Sequence, residues 1–206
     1  NVEMSRWFTH LWATLRVALM GFAVSILVAI PMAIAMMRSE LLTRTLFPLL
    51  VVIQSTPVVA VAPLIIVLMG SDDPSRVLIT SLLTFFPLVV STATGINETP
   101  EELVEFSRSL DAPLRRETWQ IRIPYAVPHI FSGLRVAITL AIIGAVVAEF
   151  VAAEAGLGYF IQFSTSFFRI PQAFAGLFFL AVVSLLLFKS VQWTQQIFFP
   201  WSLPKK

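Results

Sequence analysis

The chain of 206 residues has no cysteine, two histidines and few charges, with Asp, Glu, Lys and Arg making up 13% of it. An ordinary soluble domain carries about a quarter. Without cysteine there is no disulfide scaffold and no thiolate metal or redox chemistry, while the compartment stays open. His10 and His129 stand too far apart in sequence to suggest a metal site, and no pairing of nucleophile with base stands out. Segments of about ten residues with alternating polarity, the mark of an outer-membrane barrel, are missing. A formal charge of +2 at a pI of about 9.4 gives nucleic acid binding little support. The opening NVEMSRWFTH has neither an initiator methionine nor a signal-peptide pattern, so a preceding segment, such as another transmembrane helix, is expected.

What the chain has is apolar length. It is 57% hydrophobic with a mean hydropathy of +0.86. Residues 17–37, 46–69 and 77–95 run without a charge, each roughly the twenty residues that a helix needs to cross a hydrocarbon core of about 30 Å. Two further runs, 130–153 and 173–191, carry charges only near their ends, at Arg135, Glu149 and Lys189, where such groups can reach the interface. The fold class expected is an all-α membrane protein, one domain over 1–206 with about five spans. Trp7, Trp12, Trp193 and Trp201 stand where interface anchors belong. Arg38 and Arg44, the arginines of residues 99–124, and Lys205 and Lys206 fall on one side of a five-span arrangement, which marks that side as cytoplasmic.

Residues 101–124, EELVEFSRSLDAPLRRETWQIRIP, interrupt this pattern with nine charges in twenty-four residues. Thr99 as cap, Pro100 at the first position and Glu102 three residues on describe a helix start. Leu103, Phe106 and Leu110 recur at helical spacing, and Asp111 with Pro113 predicts a stop near 110. A second helix is expected from about 113 to 122, ending before Pro124. The pair reads either as a solvated loop packed on its own helix ends or as a docking surface, since apolar side chains rimmed by charge are interface anatomy.

The spacing Glu105-Phe106-Ser107, Asp111, Ile121, Ile123-Pro124 resembles the EAA motif of ABC importer permeases: Glu-Ala-Ala, three residues, Gly, nine residues, Ile-x-Leu-Pro. Glu105, Ile121 and Pro124 match in identity; Phe106, Ser107 and Asp111 replace Ala, Ala and Gly. With SLDAPLRRETWQ, IPYAVPHIFSGLRVA and GAVVAEFVAAEAGLGYFI around it, the text from about Leu11 onward is similar to the nitrate, sulfonate and taurine branch. That resemblance implies a type I importer permease core whose residues 99–124 form coupling helices seated on a cytoplasmic ATPase. Glu105, Phe106, Ser107, Arg108, Leu110, Asp111, Ala112, Ile121 and Pro124 would make that coupling surface. It further implies a permease homodimer, two ATPase subunits holding ATP and Mg, an external solute-binding protein, and a place in the bacterial cytoplasmic membrane with the C-terminus inside. This chain has no G-x-x-x-x-G-K-[ST] stretch, which assigns ATP hydrolysis to a separate chain and no cofactor to this one. The solutes implied are small organic molecules or anions: sulfonate, taurine, nitrate, or pyrimidine-like and riboflavin-like heterocycles.

Two places suggest a route through the membrane. Gln54, Ser55, Thr56 and Pro57 put polar groups and a helix breaker inside an apolar run. They line a path, or else they bond their own backbone and bend the helix. Glu149, an ionisable group in a span, contacts solute, pairs with Arg169, or caps local backbone at an external gate. The aromatic run Tyr159, Phe160, Phe163, Phe167, Phe168 reads as an interfacial or gate helix. A self-sufficient secondary transporter or channel remains the rival, because polar, proline-broken spans serve those too. An intramembrane enzyme would need Glu149 as acid or base and finds no partner for it in sequence.

Overall fold

A computed structural model describes residues 2–203, with side chains from Arg6 onward, and shows no strand among them. The expectation that concerns Lys205 and Lys206 lies outside the described residues. Helix α1 spans Val2–Arg38, α2 Glu40–Ser55, α3 Val58–Met69, α4 Asp73–Asn97, α5 Glu101–Ser109, α6 Leu114–Glu117, α7 Ile123–Val151, α8 Leu157–Ser166 and α9 Ile170–Phe198. Among the described residues four stretches are long and apolar enough to cross a membrane, or five if α2 and α3 count as one bent span.

α1 and α4 run parallel. Arg16 pairs with Asp73, Ser25 meets Thr84, and Met37 clusters with Ile96, so position rises together along both helices. Parallel neighbours require the chain between them to recross, and α2 with α3 does so. This segment was expected as one span; it is broken by 94° at residues 55–58. The physical reason is Pro57, which has no N–H to donate into the preceding turn and holds extended backbone at φ −63°, ψ 104°. α7 runs back along α4, with His129 against Gly95 at one end and Ala148 against Ile79 at the other. α9 returns antiparallel to α7, packing Ala173 and Leu180 near Ala141 and Ala145 and the Phe199 ring 5.3 Å from Phe131.

Small residues make these crossings close. A Cβ on Gly144 would lie 2.8 Å from the Thr80 Cα, so only glycine lets α7 approach α4 there. Arg38, Arg44, residues 98–122 and Phe199 thus gather at one end, and Arg6, residues 70–76 and residues 152–169 at the other. Trp12, Trp193 and Trp201 are exposed as anchors should be, whereas Trp7 is packed between Phe160 and Phe179.

Candidate functional site at the two ends of α7

The start of α5 differs from the expectation. Thr99 does not cap it: the Thr99 hydroxyl donates to the Ile96 carbonyl at 2.9 Å, and Pro100 occupies the cap position with no side-chain bond. The stop is where the sequence puts it. The Asp111 N–H donates to the Arg108 carbonyl at 3.0 Å and the Ala112 N–H to the Ser107 carbonyl at 3.2 Å, the two bonds of a Schellman turn. Asp111 takes the left-handed conformation, φ +51°, that glycine usually fills at this position.

α6 was expected to end before Pro124. Instead it passes through a π-helical turn, Thr118–Arg122, into α7 as one helix from Leu114 to Val151. The Ile123 N–H reaches back to the Thr118 carbonyl, five residues away. Pro124 falls in the first turn after this wider loop, where a missing N–H breaks little. At 38 residues the joined helix is about 57 Å long, nearly twice the hydrocarbon thickness, so its first turns project beyond the membrane.

The side chains divide cleanly between an outward and an inward set. Leu103, Phe106, Leu110, Leu114 and Trp119 are exposed, Phe106 and Leu110 at 64% and 65%, with Glu105 and Arg108 also exposed among them. Val104 and Ser107 are buried; Ala112, Ile121 and Pro124 are half-buried and belong to the frame of the surface rather than its face. Beneath lies a residue the sequence reading passed over. Glu117 is buried and accepts from Arg122 Nε at 2.7 Å and Arg108 Nε at 3.3 Å, tying α5 to the head of α7. Burial works to raise its pKa, but the bonds and charges of Arg122 and then Arg108 overcome it and hold the carboxyl below its ordinary value. Arg108, expected as an outward contact, is therefore shared with this internal clamp.

At the far end Glu149 is also buried, with different partners. Its Oε1 accepts from the Thr14 hydroxyl at 2.6 Å and its Oε2 from the Gly158 N–H at 2.6 Å. Thr14 Oγ1 in turn accepts from the Leu157 N–H at 2.8 Å, and His10 Nδ1 accepts from the Gly156 N–H at 3.1 Å. A carboxylate thus satisfies the first turn of α8 while α1 holds the same turn from the other side. Gly156 sits at φ +134°, and a Cβ there would collide with the Glu149 carboxylate. Of the roles open to Glu149, the geometry is that of a backbone cap, and no ion pair to Arg169 occurs among the described residues.

Gln54, Ser55, Thr56 and Pro57 form the exposed elbow between α2 and α3. The Ser55 and Thr56 hydroxyls bond their own backbone, at the Val51 and Val52 carbonyls (2.7 and 2.9 Å). The structure does not join this elbow to Glu149, whose hydrogen bonds run to α1 and α8. Among the described residues no group of three or more metal-ligating side chains occurs.

Residues 21–202 match the family model described as binding-protein-dependent transport system inner membrane component. The formylaminopyrimidine transport permease protein ThiX of Halalkalibacterium halodurans is 37% identical over 201 residues, covering 98% of this chain and 80% of the relative. The riboflavin transport system permease protein RibX of Chloroflexus aurantiacus is 37% identical over 179 residues, 87% of this chain and 67% of the relative. A structure of the inward-facing MetNI methionine ABC transporter superposes with a TM-score of 0.77 at 16% identity, covering 90% of this chain and 93% of that one, a likeness of fold.

Proposed function

Because the chain belongs to the family of binding-protein-dependent transport system inner membrane components, we propose that it works as one of two identical membrane subunits enclosing a solute path. It is a transport permease of the ABC importer class with the type I importer fold. In our reading the end that carries residues 98–122 faces the cytoplasm, by the excess of arginine there. The exposed face of Leu103, Phe106, Leu110, Leu114 and Trp119 seats on a separate ATPase that holds ATP and Mg, with Glu105 at its rim. A solute-binding protein delivers to the opposite end. The α2–α3 elbow with Gln54 faces the second copy across the path.

The observation that carries this reading is the combination of an apolar face left uncovered and a rigid mount beneath it. A cluster of large apolar side chains left exposed outside the hydrocarbon and rimmed by charge marks a surface that a partner covers. Here they stand on a helix pair fixed to α7 by Glu117 and by an unbroken helix. The relatives named for formylaminopyrimidine and riboflavin favour a planar nitrogen heterocycle over nitrate or a sulfonate as the solute.

Copurification tests the docking. Phe106→Glu places a carboxylate where the contact is driest and is expected to strip a nucleotide-hydrolysing subunit from the chain, whereas Ser109→Ala beside it retains that subunit. Retention by Phe106→Glu at wild-type stoichiometry would remove the coupling face from the account, and ion or solute flux through the chain alone would then favour the channel reading.

A further inference from the structure

At the end opposite the insert, α1, α8 and the start of α9 enclose a cavity of about 620 Å³, within the size range of small-molecule sites. One wall is a run of rings. Trp7 lies 4.5 Å from Phe160, His10 5.6 Å from Phe160 and 6.0 Å from Tyr159, and Tyr159 6.0 Å from Phe163. The His10 and Tyr159 planes are inclined by only 29°, so their faces are nearly aligned. The same cavity is lined by Arg6, Arg169 and Glu154, which form no ion pair with one another or elsewhere among the described residues.

A lining of aromatic rings with both donors and an acceptor beside them matches one ligand chemistry. Flat rings stack on aromatic side chains. The edge of a nitrogen heterocycle presents acceptors to guanidinium and amino or imino hydrogens to a carboxylate. A tetrahedral sulfonate or a nitrate would use the arginines but leave the rings idle and set Glu154 against its charge. We propose that this cavity is an intake site for a planar nitrogen heterocycle, stacked on Tyr159 and held at its edge by Arg169 and Glu154. The proposal rests on the reading of the chain as a heterocycle permease and adds to it a location. The site is also wired to the frame: His10 borders the cavity and binds the Gly156 N–H beside the Glu149 cap, so a ligand against His10 bears on the first turn of α8.

The test uses the assembled transporter with its ATPase and binding protein. Uptake of riboflavin, formylaminopyrimidine and taurine is measured in vesicles, and riboflavin is titrated by fluorescence quenching onto the same complex lacking the binding protein. The wild type is expected to import a heterocycle and to quench riboflavin saturably. Tyr159→Leu should weaken that binding about tenfold, Tyr159→Phe by less than about twofold, and Arg169→Gln severalfold. Heterocycle import with equal binding in wild type and Tyr159→Leu would overturn the site and leave the permease reading standing. Import of taurine with neither heterocycle would overturn the substrate class and the site together. Arg169→Gln keeps the test decisive should Tyr159→Leu assemble poorly, because Arg169 forms no ion pair among the described residues and unchanged riboflavin binding in that variant would equally overturn the site.

Discussion

The two ends of the joined helix from α6 through α7 each bury one carboxylate, and they solve different problems. Glu117 binds two guanidiniums and joins side chain to side chain, so the element it secures, α5, is held by charge. Glu149 binds a hydroxyl and a backbone N–H, so the element it secures, α8, is held by its own helix start. The first arrangement tolerates a surface that takes load from a partner, since the clamp lies beneath the exposed face. The second lets no side chain intrude, because the carboxylate fills the space a Cβ at Gly156 would need. α7 is thus one body between a charge clamp and a backbone cap.

The sharpest break in this comparison is Gly156→Ala. It combines a positive φ with a collision against Glu149, and is expected to cost about 3 kcal/mol or more, visible as loss of monodisperse protein on size-exclusion in detergent. Next is Glu117→Ala, which leaves the half-buried Arg122 without its partner; only a fraction of the lost pairing comes from Arg108, which is mostly exposed. ATP hydrolysis should persist while solute imported per ATP falls about tenfold. Thr14→Val removes the donor to Glu149 and the acceptor for Leu157 together, an expected loss of about 1–3 kcal/mol in thermal unfolding. Asp111→Gly runs the other way, relieving a left-handed non-glycine residue by about 0.5–1 kcal/mol and slowing hydrogen exchange across residues 107–112.

The pH dependence separates the insert from the rest of α7. The Glu117 carboxyl is depressed in the folded state, so the stability it supplies is full above its unfolded value of about 4.5 and is lost as pH falls through the lower folded value. Exchange protection in residues 101–122, corrected for intrinsic rates, is therefore flat from about pH 6 to 8 and falls in acid, more in wild type than in Glu117→Gln.

Much of the fold was legible because apolar runs longer than a membrane thickness have one stable solution. The runs that became α1, α4, α7 and α9 were read as spans, and the Asp111 stop followed from local chemistry. What escaped depended on three-dimensional closure. Pro124 looked like a terminator because a proline normally ends an α-helix, and only the π turn before it makes the passage possible. Pro57 was read as a bend but not as a 94° break, since hydropathy is blind to angle. Glu117 gave no sequence signal beyond a lone carboxylate among arginines; its worth comes from the Schellman turn, which folds Arg108 back over it. For Glu149 the backbone cap was among the alternatives, and the glycines of AGLG were the clue that backbone, not Arg169, would fill its coordination.

The most direct test is the distance between spin labels at Ser109 on α5 and Gln120 at the head of α7, both exposed, in the assembled transporter with and without ATP. The 206 residues contain no cysteine, so labels at these two sites meet no competing thiol within them. If the insert and α7 move as one body, the distance between the two labels of one copy, read in dimers with a single doubly labelled subunit, persists through the nucleotide cycle and broadens or splits in Glu117→Ala. A distance that shifts with ATP in the wild type would contradict the account, because the insert would then swing on α7 instead of carrying it.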